Sequence, residues 1–446
     1  MRSTGVNRRS DCVSGHKQCV SGGTQLKAKC IGVALLLAAS TAWTPAFAAD
    51  LGGDCCADLE ERVAELEATT ARKGNRKVSL TVSGQVNELV YWWDDGVESN
   101  VYVGTSGFSS SRFRFRGDAK INADWSAGYY IEIETVSAQV SGTSASDDDS
   151  SVAVQLRHST WFLKSKQLGT LWVGHTSHAT DDIVLFANGG TGAATAANYN
   201  VAPGANITFR GSNGLELNDI FDFLDTDRAN VIRYDSPTFA GFTISASWGE
   251  DDMWDVALKY AGEFNGIKIA GGIGYHVERD VTGDNGSHNL GELYPNVDFE
   301  DVRGSISVLH EPTGLFVDFA GVHREFDDPR FDDFNYWMIR GGIYRKWFAI
   351  GKTSIFGEYA EAQNSGNLLT TTGSVADDNL RRVTYTSADG TLYGIGINQY
   401  IDAAAMELYA GWRHFEADLV ELNDGRRVSV PTDDIDTVYA GARIQF

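Results

Sequence analysis

From Val78 to Phe446 the chain keeps one texture, in which segments of about ten residues alternate apolar with polar side chains and turn residues separate them. Alternation at period two sends neighbouring side chains to opposite faces of a strand. The segments number sixteen: Val78–Trp93, Ser110–Ile121, Ala127–Val136, Val152–Leu163, Thr170–His175, Asn230–Asp235, Phe242–Trp248, Trp254–Phe264, Ile267–His276, Val302–Leu309, Leu315–Arg324, Tyr336–Lys346, Ser354–Glu361, Leu392–Ile401, Met406–Phe415 and Thr437–Phe446. The links between them alternate in length. "NG", "EPTG" and "DAAA" are short, whereas 176–229, 277–301, 362–391 and 416–436 are long. A closed barrel with one rim in a confined compartment and the other facing outward has this rhythm, and a β-sandwich has no reason for it. An even strand number puts both ends of the barrel on the short-turn rim.

The two faces decide what surrounds such a barrel. In the last segment Val438, Ala440, Ala442, Ile444 and Phe446 share one face, and Thr437, Tyr439, Gly441, Arg443 and Gln445 share the other. Ile131 and Ile133 alternate with Glu132 and Glu134, and Phe113 and Phe115 with Arg112, Arg114 and Arg116. A soluble barrel would bury one of these faces, yet here one is charged and the other aliphatic and aromatic. An arginine on the lipid side at mid-membrane costs roughly 2–4 kcal/mol, so the arginines point into a wet lumen and the phenylalanines outward. Aromatics gather near segment ends, among them Tyr91, Trp92, Trp93, Trp248, Tyr336 and Trp347, as interfacial belts require.

The start of the chain has a different character. Lys27 and Lys29 precede the apolar run Ile31–Ala39, and Ala46 and Ala48 stand where a signal peptidase needs small residues. Residues 1–48 therefore read as a secretory leader. The run is too short for a spanning helix. Net charge is −23 for the whole chain, and loss of a leader with six basic residues and one acid makes the remainder more acidic still. Such a balance argues against nucleic-acid binding. Cys55 and Cys56 are adjacent and alone beyond the leader, which excludes a disulfide scaffold. In residues 49–76, Leu59, Val63, Leu66 and Thr70 take coiled-coil spacing. A helix over 57–71 would be too short to persist alone.

"SRFRFRGDAKINADWSAGYYIEIE", "VIRYDSPTFAGFTISASW" and the terminal "VYAGARIQF" resemble the general diffusion porins of Gram-negative outer membranes, especially those of alphaproteobacteria. The resemblance covers about 49–446. It implies a sixteen-stranded antiparallel transmembrane β-barrel over 77–446, usually a homotrimer, preceded by a periplasmic helical knob. It also implies a third outer loop, here 176–229, folded inward to narrow the pore. By that analogy Arg112, Arg114, Arg116, Arg157 and Arg233 line the constriction wall, and Glu216, Asp219 and Asp222 face them from the loop. The terminal Phe446 would be the signal read by the barrel-assembly machinery. The function implied is passive diffusion of small hydrophilic solutes and ions across an outer membrane, among outer-membrane lipids and lipopolysaccharide.

Other motifs carry less. "GKTS" at Gly351–Ser354 lacks the glycine of a phosphate loop, because Lys346 occupies its place. His175 and His178 diverge at strand spacing, so no metal site is expected there, and no cofactor is implied. No G-x-S-x-G is present. The acidic runs, including Asp181–Asp182, read as solvated loop charge, with loose divalent-cation binding, bridging to lipid phosphates, as the second reading. Two alternatives remain: an outer-membrane lipid hydrolase, for which no Ser and His stand out, and an adhesin or structural barrel with a plugged lumen.

Overall fold

The computed structural model describes residues 78–147, 152–192, 199–212, 214–221, 225, 228–249, 252–279, 298–329, 331–366, 368–372, 381–423 and 425–446. The leader, the 57–71 helix and Asp222 lie outside the described residues.

Among the described residues regular structure is almost entirely β, in nineteen strands. They are β1 (Thr81–Asp94), β2 (Ser99–Thr105), β3 (Arg112–Lys120), β4 (Trp125–Val136), β5 (Ala153–Ser165), β6 (Gly169–Ser177), β7 (Arg228–Asp235), β8 (Phe242–Gly249), β9 (Trp254–Phe264) and β10 (Ile267–Glu278). There follow β11 (Phe299–His310), β12 (Leu315–Phe326), β13 (Phe331–Phe348), β14 (Gly351–Gly366), β15 (Leu368–Thr372), β16 (Arg381–Ile401), β17 (Met406–Asn423), β18 (Arg426–Val430) and β19 (Ile435–Gln445). Three staves are each built from two strands that pair with one neighbour. β2 and β3 both pair with β1, β14 and β15 with β16, and β18 and β19 with β17. The nineteen strands thus form sixteen staves, all paired antiparallel.

Closure joins the ends of the chain. β1 pairs with β19 from Gln85↔Gln445 to Asp94↔Asp436. Beyond the strand, Gly84 and Phe446 exchange backbone hydrogen bonds of 2.9 and 3.1 Å. No edge is left at this seam, which a spanning sheet in lipid must achieve.

All sixteen sequence segments correspond to staves. Their upper ends were underestimated: much of 362–391 and 416–436, expected as loop, is strand. These stretches are short and broken by turn residues, among them Gly366, Gly390 and Gly425, which read as loop.

The faces follow the alternation. Val86, Val90, Phe113, Ile232, Ile273 and Ile395 are exposed outward, while Gln85, Asn87, Glu132, Asp255, Arg303 and Arg413 are buried within. Trp248, Trp254 and Trp347 face out as expected of a belt. Tyr91, Trp93 and Tyr336 do not: they point inward and are buried, in a cluster that includes Tyr199, Ile207, Phe209 and Phe221 of the long segment between β6 and β7. Aromatic position near a strand end does not reveal which face the ring takes, and here an inward loop supplies an apolar surface to cover.

Candidate channel interior

Arg112, Arg114 and Arg116 stand on the inner face of β3, and the register sets them opposite Glu134, Glu132 and Tyr130 of β4. The next stave contributes through an irregularity. Between the pairs Glu132↔His158 and Ile133↔Leu156 the register shifts, and the extra residue, Arg157, also turns inward. Three guanidiniums thereby converge on one carboxylate. Arg112 Nη1 donates to Glu132 Oε1 at 3.2 Å, Arg157 Nε to the same oxygen at 2.8 Å, and Arg114 Nε to Oε2. Tyr130 adds a hydroxyl donor at 2.6 Å, and Arg157 also reaches Glu134 at 3.1 Å. Charged hydrogen bonds of this density hold side chains in place. Arg116 stands apart, its guanidinium 5.5 Å from the Phe162 ring. Arg233 of β7 binds Asp235 at 2.9 Å and the carbonyls of Ser177 and His178, where the chain leaves β6.

The segment that leaves there runs along the inside of the barrel. Its first limb is fastened by wall side chains: Ala179 N donates to Ser247 Oγ at 3.0 Å, Thr180 N to Asp255 Oδ2 at 2.7 Å, and Asn188 N to Ser307 Oγ at 2.7 Å. Gly190 O accepts from Asn398 and Tyr400. The fit is close. A β-carbon on Gly274 would lie 2.4 Å from Thr180 Cγ2, and Gly190, at φ +70°, abuts the Tyr344 ring. Only glycine lets these backbones meet so closely. Further on, Tyr199 Oη donates to Glu358 at 3.2 Å, between Arg340 and Arg413, which hold the same carboxylate at 2.9 and 2.7 Å. Burial and the Glu358 charge push the Tyr199 hydroxyl pKa up, so the ring is a neutral donor.

The second limb climbs the wall. Arg210 Nε meets Asp95 at 2.6 Å, and Tyr385 donates to Ser212 O. A single helical turn, Leu217–Ile220, packs on β14 and β16. Glu216 and Asp219 form its reciprocal cap, with Glu216 N donating to Asp219 Oδ2 at 2.7 Å. Asp225 then returns to the first limb and accepts from Asp182 N at 3.1 Å. Burial, then the neighbouring Asp181 and Asp182 charges, raise its carboxyl well above the usual range.

The loop covers the inner wall unevenly. Arg303, Arg324, Arg340 and Arg413 keep at most 2% of their side-chain surface, whereas Arg114 keeps 30%. An open pocket of about 430 Å³ is lined by Arg233, Lys259, Asp181 and Asp182. The structure therefore joins Arg112, Arg114 and Arg157 into one cluster, with Arg116 and Arg233 outside it. Glu216 and Asp219 pair with each other's backbone on the second limb. The acids beside Arg233 are Asp181 and Asp182. Asp181 is buried inside the barrel and is not the solvated charge expected from the sequence. Glu132 and Glu134 were visible in the sequence as alternating acids, but only the β3–β4 register reveals their arginine partners.

A closed antiparallel barrel with an apolar outer band, a charged inner wall and a loop folded into its lumen defines a membrane channel. The chain belongs to the Gram-negative porin family, whose model matches residues 33–443. It is an outer-membrane channel for passive diffusion. Among solved structures, the anion-selective porin from Comamonas acidovorans is 17% identical, with 83% of this chain and 100% of that one covered at a TM-score of 0.53. OprB of Pseudomonas putida is 9% identical over 87% and 97% of the two chains, at a TM-score of 0.51. At these identities the likeness is one of fold. Comparison with curated proteins gave no match.

Proposed function

We propose that solutes pass between the arginine wall of β3, β5 and β7 and the inward loop, and that fixed charge on the two sides selects among ions. The contrast in exposure carries this reading: the arginines under the loop are sealed, and those on this wall keep contact with solvent. Acids on the loop side are Asp181 and Asp182 beside Arg233 and Lys259, with Glu216 and Asp219 on the second limb; Asp222, outside the described residues, is carried over from the sequence alone. Screening acts over about 10 Å at 0.1 M salt, so in a passage of that width wall charge is felt by every ion. Opposed walls also orient dipolar solutes. Movement down a gradient requires no catalytic group, and we read the protein as non-enzymatic. The chain assembles as a homotrimer among outer-membrane lipids and lipopolysaccharide, after the barrel-assembly machinery has read Phe446. The 57–71 helix stands on the periplasmic side.

The test is the reversal potential of purified protein in a planar bilayer under a salt gradient. Arg114→Gln with Arg116→Gln should shift it toward cations, more at low salt than at high. Asp181→Asn with Asp182→Asn should shift it toward anions. Unchanged potentials in both double variants would overturn this placement of the passage. Three equal conductance steps per insertion are expected of a trimer.

A further inference from the structure

His178 has partners on other strands. It is the first residue beyond β6, and it meets Asp255 of β9 and His276 of β10 inside the barrel. One nitrogen or oxygen atom from each lies within 4.8 Å of the other two, and all three residues are buried. The two imidazoles stack at 5.7 Å between centroids and 25° between planes. Glu278, on the same inner face as His276, lies 3.1 Å from His276 Nε2. A carboxylate accepts, so Nε2 is the donor, and in the neutral imidazole the electron pair is left on Nδ1. This carboxylate–imidazole arrangement orients histidines that ligate metals. Asp255 is held from the loop side by Thr180 N and Thr180 Oγ1, at 2.7 and 2.6 Å.

We propose that His178, Asp255 and His276 bind one transition-metal ion, of which zinc is the best fit, and that the ion fastens the inward loop to β9 and β10. Two imidazoles and one carboxylate suit zinc and its neighbours and not magnesium or calcium, which want an all-oxygen shell. Metal–nitrogen bonds of about 2.1 Å at tetrahedral angles set ligand atoms about 3.4 Å apart. Ligation requires the present separations to close to that value and Asp255 to release one of the hydroxyls that now hold it, Thr180 Oγ1 or Ser247 Oγ, with water completing the shell. The ion would join residues far apart in sequence at the point where the loop departs. Nothing in this assignment depends on the arginine passage.

The full chain, folded in detergent micelles and stripped with EDTA, is titrated with cobalt(II) as the probe. One ion per chain with the visible absorption of a tetrahedral site, displaced by zinc, is expected. His178→Gln and His276→Gln should each weaken binding by about 100-fold or more, and Glu278→Gln by about 10–100-fold, as loss of an orienting partner does. Strand content by circular dichroism and heat-sensitive gel migration confirm that each variant is folded. His178 lies beyond the last residue of β6, so His178→Gln alters no residue of a stave. Absence of the tetrahedral band in folded wild-type protein would overturn the proposal, and so would a band of undiminished affinity in both histidine variants.

Discussion

Glu132 is the residue on which the open wall turns. Its carboxylate is buried beneath three guanidiniums and a tyrosine hydroxyl. Glu132→Gln would leave Arg112, Arg114 and Arg157 crowded around one remaining carboxylate, Glu134. Breaking a buried ion pair from one side costs roughly 3–5 kcal/mol. A lower denaturant midpoint for this variant, together with a reversal potential moved toward anions, is the expected pair of results. Arg112, Arg114 and Arg116 were legible as an inward triplet because their spacing is strictly two. Arg157 was legible only through family resemblance, since a bulge sets its direction and strand alternation cannot show one. Asp225 offers a second test at this scale. Its carboxyl is raised in the folded chain, so between the ordinary carboxylate range, near 3.9, and the higher folded value the native state binds the extra proton. Its contribution to stability is therefore complete at low pH and is lost as pH rises through that window. The wild-type denaturant midpoint should fall as pH rises through that window, and Asp225→Asn should remove the fall.

The inward loop is an element held by other elements. Its first limb lies flat because Gly272 and Gly274 present no side chain to Ile183 and Thr180. Gly274→Val should lift Thr180 from Asp255 and leave β10 paired on both sides. Single-channel recordings of this variant should show larger and noisier conductance with undiminished folded yield. The path of the loop was not legible in the sequence. Its length and position between the fifth and sixth segments were, but Asn188–Ser307 and Tyr199–Glu358 are contacts across more than a hundred residues. Nothing local foretells such pairs. The 57–71 helix is the opposite case, a pattern read from sequence alone. In the proposed trimer, deleting it should leave assembly on mild gels intact, because two heptads are too short to hold a helix together alone. Loss of trimers on deletion would assign assembly to the helix.

For the whole molecule, the sixteen staves were legible because lipid outside and water inside impose opposite demands on alternate residues for the full height of the wall. The seam depends on Phe446. Its backbone bonds to Gly84 and its ring lies 6.2 Å from that of Phe113. Phe446→Ala keeps the backbone bonds, so protein refolded in detergent should retain nearly the wild-type unfolding midpoint, while yield in the outer membrane falls. Equal yields would deny the terminal ring any part in delivery. A hoop of hydrogen-bonded staves is compliant, since it can flatten without breaking a single ladder bond. This hoop is braced from within, because one continuous segment is pinned to β8, β9, β11, β14 and β16 in turn. Flattening the ring would pull on those pins together. The segment that narrows the lumen thus also acts as a stiffener, and the bore keeps its shape when the membrane around it is squeezed or stretched.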